Sequence, residues 1–566
     1  MNISSQRGFK GIDERALLAN GIERAVEMRN LYITPAGALK KRPSTVAEFS
    51  FDSPVDGLLA CSLFGKSIVA VASGGHLYIA DADDSTPFVQ VGDIGSGECL
   101  LFCFGGRLYI KTKSYYGRYD GETVSEVEGY IPTVATSCAP DGSGTLLEQV
   151  NLICTKRRQL FSCDGQSVLY RLAERGIESL VSVRLDGVDY EGRYAFDPAN
   201  DAVSFELPPA EGLNNLEIIY KMKDSESDRA RILDCTDLML FGGNSDGRAF
   251  LWGNAGYPNY RFHSDLANGV PSVEYFPVNG FTVIGSDAIT CIVQQYDRQL
   301  IFTERAAYYS YCELKTDALG NVVSSFPVFS LNGSKGCLIA TSGCVIDNRP
   351  VTLCDDGLNL WESTSVINEK NATCFSSPVC ESIANYDPSD AHLLDFQSRR
   401  ELWFISRGLA VIYNYGINAF YIYDGFGGTH YDTFGDRLYY SSGSGVYSFS
   451  YSDSELCTSD CIWKSGSLLH SHESGRCDVV SIEADVFIQG ELDVSFEISD
   501  GVNSRLRRIR LNESDPCFRR ISFRPSLKRT LPFSITVRIN GGGQVSIHGM
   551  TVKTKEKERS SRYGLL

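Results

Sequence analysis

The sequence predicts an all-β protein built on a β-propeller of six or seven blades. The first observation is a phrase of turn residues followed by an apolar, an aromatic and another apolar residue, which suits a half-buried strand. Its copies are Gly75–Ile79, Gly106–Ile110, Arg298–Phe302, Arg400–Phe404 and Asp436–Tyr440. The second is the excess of 29 Tyr and 30 Phe over 5 Met. The third is the near absence of long amphipathic helical runs, the best helical candidate being the short stretch 14–28.

Length and composition fit a folded chain of several domains. The 566 residues suggest roughly three or four domains, and 43% apolar against 22% charged residues is the balance of a globular protein. A unit of a few strands cannot bury its own apolar face, so repeated units must pack side by side. We therefore predict an N-terminal arm or hairpin over 1–50 and a propeller over 51–140 and 228–455.

Two further domains interrupt and follow the repeats. Residues 145–223 lose the repeat phrase but keep alternating apolar residues, an Asp-Gly turn and the pair Pro208-Pro209, which predicts a β-sandwich inserted into a propeller loop. Residues 456–566 again alternate, as in Val479–Val486 and Phe533–Ile539, which predicts a C-terminal β-sandwich with a basic tail.

Charge is distributed unevenly along the chain. Residues 501–566 carry 15 Lys and Arg against 4 acids, a net of +11, which leaves −28 for residues 1–500 out of the total of −17. The two parts therefore meet different surroundings. A solvated face, attraction between subunits and nucleic-acid binding are the three interpretations of the basic part.

The sequence shows no signature of catalysis or of a cofactor. It has no G-x-S-x-G elbow, phosphate loop or H-E-x-x-H motif, and the segment 353–361 lacks the serine of a sialidase Asp-box. The 18 cysteines include no C-x-x-C pair, so we expect buried reduced thiols rather than metal ligands. No run of about 18 apolar residues suggests a membrane span, and the N-terminus lacks the apolar core of an export signal. We predict a protein without enzymatic activity, metal or cofactor that folds in a cytoplasm.

The N-terminal region resembles a family of phage proteins. Asn30, Gly37, Leu39 and the run Lys41-Arg42-Pro43 match the pattern N-x-x-x-x-x-x-G-x-L-x-K-R-P-G-T, with Ser44 in place of the second glycine. This pattern is similar to the opening of the tail nozzle, or tubular protein B, and of the packaged-DNA stabilisation (tail hub) protein of tailed bacteriophages. Parts of the inserted domain and the segment 248–254 are also similar to these proteins.

The resemblance implies a structural virion protein in a phage tail. It implies a ring, most simply a hexamer, below the portal and adaptor, which retains packaged double-stranded DNA and conducts it at ejection beside fibre or needle proteins. The candidate residues for a DNA channel or a subunit interface are Lys40, Lys41, Arg42, Arg505, Arg507, Arg508 and Arg510. The subunit is favoured for the four arginines, since an acidic body supplies partners.

Two alternatives stay open at this point. One is a tail protein that binds a host receptor, with a propeller face recognising a surface glycan. The other is a propeller glycosidase, since paired carboxylates cannot be recognised from spacing alone. The localisation that follows from the resemblance is the virion tail, assembled in the host cytoplasm.

Overall fold

The computed structural model is nearly all β. It describes residues 2–19, 21–82, 87–223, 226–242, 247–316, 322–340, 343–362, 371–468, 477–530 and 532–556. Within these ranges the helices are short: Glu226–Leu233, Cys380–Ala384, and the 3-10 turns Ser377–Val379 and Gln397–Arg399. The all-β class predicted from the sequence is therefore confirmed. The chain divides into two compact units, one formed by residues 1–60 and 332–566 and the other by residues 61–331.

In the residues that the structure describes, seven groups of four strands follow one another along the chain, and within each group hydrogen-bonded neighbours lie side by side in the sheet. Four groups have all or most of their strands in the 61–331 unit. Their strands are Val55–Leu63, Lys66–Ser73, His76–Asp81 and Val89–Asp93; Leu100–Phe104, Arg107–Lys111, Tyr116–Tyr119 and Val124–Glu126; Asp237–Phe241, Arg248–Trp252, Tyr260–His263 and Phe281–Val283; and Ile289–Gln295, Arg298–Thr303, Ala307–Tyr311 and Val328–Asn332. The last two groups carry small hairpins, Leu266–Ala267 with Val270–Pro271 and Glu313–Thr316 with Val322–Ser325.

The other three groups lie in the unit formed by residues 1–60 and 332–566. Their strands are Gly343–Ile346, Arg349–Cys354, Gly357–Trp361 and Ala372–Cys374; His392–Phe396, Glu401–Ser406, Leu409–Asn414 and Ala419–Asp424; and His430–Phe434, Arg437–Ser442, Gly445–Ser450 and Val46–Ser50. The seventh group takes its fourth strand from the N-terminal part of the chain: Ser50 pairs with Gly445 and Val46 with Ser448, antiparallel.

The inserted domain has two sheets around one apolar core. The larger contains Thr133–Cys138, Thr145–Leu146, Lys156–Cys163, Ile177–Leu185, Val188–Asp189 and Gly212–Met222; the smaller contains Leu169–Arg171, Tyr194–Asp197 and Ala202–Phe205. Phe161 and Phe205 meet Tyr170 edge to face at 5.4 and 5.5 Å between ring centroids. The domain begins earlier than position 145, because Thr133–Cys138 pairs in parallel with Lys156–Cys163.

The C-terminal region is one long ribbon bent upon itself. Cys477–Ser499 pairs along its length with Ser504–Phe523 on one side and with Ser534–Asn540 and Gln544–Glu556 on the other, all antiparallel. Three glycines in a row suggest a hairpin turn that reverses the chain. The segment 541–543 is instead a bend, because the strands before and after it pair with successive parts of the same strand, Cys477–Ser499. Gly490 and Gly541 have φ of +87° and +105°, and a Cβ on Gly541 would lie 2.7 Å from the Glu491 carbonyl oxygen. Glycine is required here because no side chain fits at the bend.

The N-terminal arm is woven into this ribbon. Two strands of the arm, Asn2–Arg7 and Leu39–Lys41, pair with Gln544–Glu556 of the ribbon. Leu31–Ile33 pairs with Leu39–Lys41, and Ala25–Arg29 pairs with Cys461–Ser465. The remaining short strands are Leu18–Ala19, which pairs with Ser467–Leu468, and Leu527–Thr530, which pairs with the start of Cys477–Ser499. The helix expected over 14–28 is not present in the described residues. Ile22, Ala25 and Met28 are buried at a spacing of three, which suits a helix, but backbone pairing with Cys461–Ser465 makes the segment a strand.

Candidate functional site

The residues of the family-like pattern form one packed structural element. The strands Leu31–Ile33 and Leu39–Lys41 are joined by a turn in which Gly37 has a φ of +81°. A Cβ on Gly37 would lie 2.8 Å from the Cα of Gly8, so a larger residue does not fit. Asn30 precedes the first strand with a φ of +55°, a conformation that asparagine tolerates better than most residues.

Arg42 is held by hydrogen bonds inside this element. Its Nε donates to Asn30 Oδ1, its Nη1 to the Pro43 carbonyl oxygen and its Nη2 to the Asp424 carbonyl oxygen, each at 2.9 Å. The Asp424 carboxylate lies 3.6 Å from Nη2. Asn30 Nδ2 in turn donates to Asp424 Oδ2 at 2.9 Å. Arg42 is 4% exposed, so its charge is satisfied within the chain.

Aromatic rings cover the Arg42 guanidinium. Its Cζ lies 5.4 Å from the ring centroid of Tyr423 and 5.3 Å from that of Phe426. Both rings belong to the same cluster as Trp403, whose ring lies 5.7 and 5.1 Å from theirs. The cation is thus desolvated and stacked on π faces, an arrangement that arginine accommodates better than lysine.

The two lysines of the same run differ from each other. Lys41 is buried, its Nζ donates to the Gly541 carbonyl oxygen at the ribbon bend, and burial lowers its pKa. Lys40 points to the other face, is partly exposed and pairs across the strand with Ser546. The structure therefore separates the three cations that the sequence places together. Their role in a channel or an interface stays a prediction, with Lys40 the one that solvent reaches most readily.

The four C-terminal arginines lie on one exposed edge strand, Ser504–Phe523. We call this strand the arginine edge. Arg505 and Arg507 face the same side as buried Ile498 and Phe496 on the neighbouring strand, and Arg508 and Arg510 face the opposite side. All four are exposed. The prediction of two cations on each face of a strand is confirmed, and the same strand also contains Arg519 and Arg520, which the sequence reasoning missed although they share its composition.

A cavity of about 410 Å³ with both apolar and charged residues in its lining lies in the 61–331 unit, at the base of the inserted domain. Its lining includes Arg157, Glu174, Lys223 and Arg229. The Arg157 side chain is 9% exposed, and its Nε lies 3.8 Å from Glu174 Oε2. Burial raises the pKa of the Glu174 carboxyl, while the Arg157 charge opposes that shift. The cavity holds charged groups of both signs, which nothing in the sequence placed together.

A second surface in this unit carries stacked aromatic rings. Tyr309, Tyr311 and Phe329 lie with interplanar angles of 7–24° and centroid distances of 5.2–6.5 Å. The Arg298 guanidinium lies 5.2 Å from the Tyr309 centroid. Phe329 is 40% exposed and the tyrosines are partly exposed, so the group forms a flat aromatic surface.

A buried carboxylate lies in the sixth group of strands. Glu401 is 0% exposed and accepts hydrogen bonds from Tyr421, from Tyr451 at 2.9 Å and from Trp403 at 3.2 Å. Burial raises its pKa, and these donors counteract the shift. Such a fully bonded network fixes a core rather than exposing a reactive group.

Metal-ligating and membrane-spanning features are absent from the ranges that the structure describes. No group of three or more His, Cys, Asp or Glu side chains there could hold a metal ion, and no helix there is long and apolar enough to cross a membrane. Eleven of the 18 cysteines are buried, six are partly exposed and one, Cys380, is exposed, so most of the thiols are shielded from solvent.

Comparisons with known proteins place the chain in no family. No protein-family model and no curated protein matches it. Among solved structures it is similar to PorZ, a surface component of the type-IX secretion system of Porphyromonas gingivalis, at 10% identity and a TM-score of 0.35, covering 82% of this chain and 46% of PorZ. It is also similar to an exo-β-1,3-galactanase from Phanerochaete chrysosporium, at 8% identity and a TM-score of 0.19, covering 90% of this chain and 99% of the galactanase chain. Likenesses at these scores carry no functional argument.

Proposed function

We propose that this chain is a structural virion protein of a phage tail. It forms a ring, the nozzle or hub below the portal and adaptor, which retains packaged DNA and provides its exit path. We further propose that the seven groups of four strands are blades of a β-propeller and that Val46–Ser50 completes the last blade. Completion of a blade by a strand from the other end of the chain is an economical way to close such a disc.

The observation that carries the proposal is the structural role of the family-like pattern. Asn30, Gly37, Lys41 and Arg42 each have a specific and demanding environment in one element. A pattern whose residues are fixed by left-handed backbone, close approach and buried charge is a structural signature rather than a chance match. The part of the pattern that resembles tail proteins is therefore the part that this fold needs.

The charge distribution supports the passage of DNA rather than its capture. The net charge of −17 disfavours strong binding to phosphates, because nonspecific affinity for DNA comes from cations that release counterions. A negatively charged channel wall would let a DNA duplex slide. Rings of cations would instead hold the duplex, and Lys40 is the partly exposed cation of the N-terminal run.

The test is the mass of the full chain in solution, alone and with its adaptor ring, followed by electron microscopy of the assembly. We expect closed rings with the symmetry of the adaptor. Trimers that bind cells would favour the receptor-binding alternative, and a monomer that degrades polysaccharide would favour the glycosidase. Either result would overturn the proposal.

The receptor-binding alternative has one observation in its favour. The flat aromatic surface of Tyr309, Tyr311 and Phe329 offers ring faces to which the apolar face of a sugar could stack. The double substitution Tyr311→Ala/Phe329→Ala would abolish binding to purified bacterial surface polysaccharides if this surface recognises a glycan. Unchanged binding, or none by the wild type, would remove this candidate.

A further inference from the structure

The arginine edge is the outermost strand of the C-terminal ribbon. It pairs with Cys477–Ser499 along nearly its whole length, and its other side has no paired strand among the described residues. The ribbon bends so far that Arg507 Nη1 donates to the carbonyl oxygen of Ser522, 15 residues later, at 2.8 Å. The two halves of the strand therefore approach each other in space.

Positive charge at this edge is only partly neutralised within the chain. The strand contains six arginines against Glu513 and Asp515, a net of +4. Arg510, Arg519 and Arg520 pair with carboxylates, namely those of Glu491, Glu513 and Asp485. In the described part of the chain, Arg505, Arg507 and Arg508 have no carboxylate within 4.0 Å; the guanidinium of Arg505 reaches only its neighbour's carbonyl oxygen.

Apolar side chains are exposed beside these cations. Leu506 is 51% exposed and Phe518 is 70% exposed on the strand itself, and Val502 is 82% exposed in the turn before it. Phe518 contacts the rings of Phe487 and His548 at 5.1 and 5.3 Å, so it is held in place while it faces outward. An unpaired backbone and exposed apolar groups are the features of an edge that can receive another protein segment. The arginines disfavour neutral or basic segments and select an acidic partner.

The sign of the charge decides which kind of contact is possible. Two copies of this edge would repel each other, because arginines would face arginines, so the edge does not pair with itself across a two-fold axis. The complement must be acidic, and residues 1–500 of the same chain carry −28. A contact between two different surfaces of identical chains is head-to-tail, and such contacts form a ring when the rotation between neighbouring copies closes.

We infer that the arginine edge binds an acidic surface of a second copy of this chain, head-to-tail. The inference rests on the proposed ring and names one of the two surfaces that build it. Double-stranded DNA fits the edge less well, because phosphates pair with the arginines but not with the free backbone groups or with Leu506 and Phe518.

The experiment compares two double charge reversals in the full chain. Arg505→Glu/Arg508→Glu reverses two of the three unpaired charges of the edge, both at exposed side chains, and disturbs no buried group. Arg193→Glu/Arg305→Glu is the matched control, since it changes the net charge equally at side chains that are 89% and 78% exposed in the other unit. The readout is mass by light scattering across concentration and salt, with circular dichroism to confirm folding.

We expect the edge variant to weaken assembly at least about 100-fold in dissociation constant and the control to assemble like the wild type. A folded edge variant that assembles normally overturns this inference and leaves the ring intact. A wild-type chain that stays monomeric, with and without the adaptor, overturns the ring and this inference with it. Loss of a mobility shift on double-stranded DNA in the edge variant, with assembly unchanged, assigns the edge to DNA and overturns the inference as well.

Discussion

Arg42 is the residue at which a role in folding and a role in binding predict different results. In the structure its guanidinium makes three hydrogen bonds at 2.9 Å and contacts two neighbouring aromatic rings. Arg42→Ala would leave the Pro43 and Asp424 carbonyl oxygens without this donor, and each unmet buried acceptor costs about 1–3 kcal/mol. The Asp424 carboxylate would also lose its cation. We expect a loss of about 3–5 kcal/mol in the free energy of unfolding, because three hydrogen bonds of a buried guanidinium and its contacts with two aromatic rings are lost together.

The assay is denaturant unfolding followed by tryptophan fluorescence. Trp403 packs against both rings that cover Arg42, so its emission reports on the same region. Lys40→Ala is the matched control, because it removes a neighbouring cation that is partly exposed, and we expect a change within about 0.5 kcal/mol. The loss in the free energy of unfolding for Arg42→Lys should lie between those of the two alanine variants, since an ammonium keeps the charge but cannot reach all three acceptors.

The reasoning would be refuted by an Arg42→Ala variant that unfolds at the wild-type midpoint. That result would mean that the guanidinium contributes little to folding at this site. A role of Arg42 in contact with DNA or with a neighbouring subunit would then be the better explanation. A destabilised Arg42→Ala variant together with a stable Lys40→Ala variant that retains DNA poorly would divide the two roles between neighbouring residues.

Three further predictions concern buried titratable groups and are checked by melting temperature. Glu401→Ala leaves several buried donors without an acceptor and should destabilise the chain by about 3–5 kcal/mol, whereas an unchanged melting temperature would show that water replaces the carboxylate. Burial raises the pKa of Asp432 to about 6, above its unfolded value, so its contribution to stability is present at low pH and is lost as pH rises towards 6. The backbone N–H groups of Ala60 and Thr433 donate to different carboxylate oxygens of Asp432, so Asp432→Asn keeps one of the two acceptors and removes the titration. The melting temperature of this variant should therefore fall less between pH 4 and pH 7 than that of the wild type. Burial lowers the pKa of His392 to about 4, so its contribution to stability is lost as pH falls towards 4. His392→Gln should therefore reduce the fall in melting temperature over this pH range. A melting temperature that depends on pH as in the wild type would contradict this prediction.

The repeat phrase predicted strands well but their place in the sheets less well. Four of its five copies fall on the second strand of a group, while Gly75–Ile79 falls on the third strand of the first group. The phrase describes a tight turn followed by an inner strand, and a four-stranded meander contains two such positions. The count of 31 residues between Leu77 and Leu108 is therefore not the length of a structural repeat.

Long-range pairing explains what sequence reasoning could not supply. Val46–Ser50 joins strands that lie almost 400 residues later, and its alternation gives no hint of the partner. Likewise Arg42 looks like part of a basic run, because the carbonyl oxygen and the carboxylate that it contacts on Asp424 are distant in the sequence. The arginine edge was visible in advance, since a dense local run of arginines alternating with apolar residues on a strand needs no distant partner to be recognised.

The N-terminal element and the ribbon bend depend on each other physically. Lys41 donates to the carbonyl oxygen of Gly541, and Leu39–Lys41 pairs with the strand that follows the bend. The bend exists because Gly490 and Gly541 allow a close approach that excludes side chains. A single set of constraints, from a buried lysine to a glycine bend, therefore shapes the ribbon whose edge strand we propose for contact between subunits.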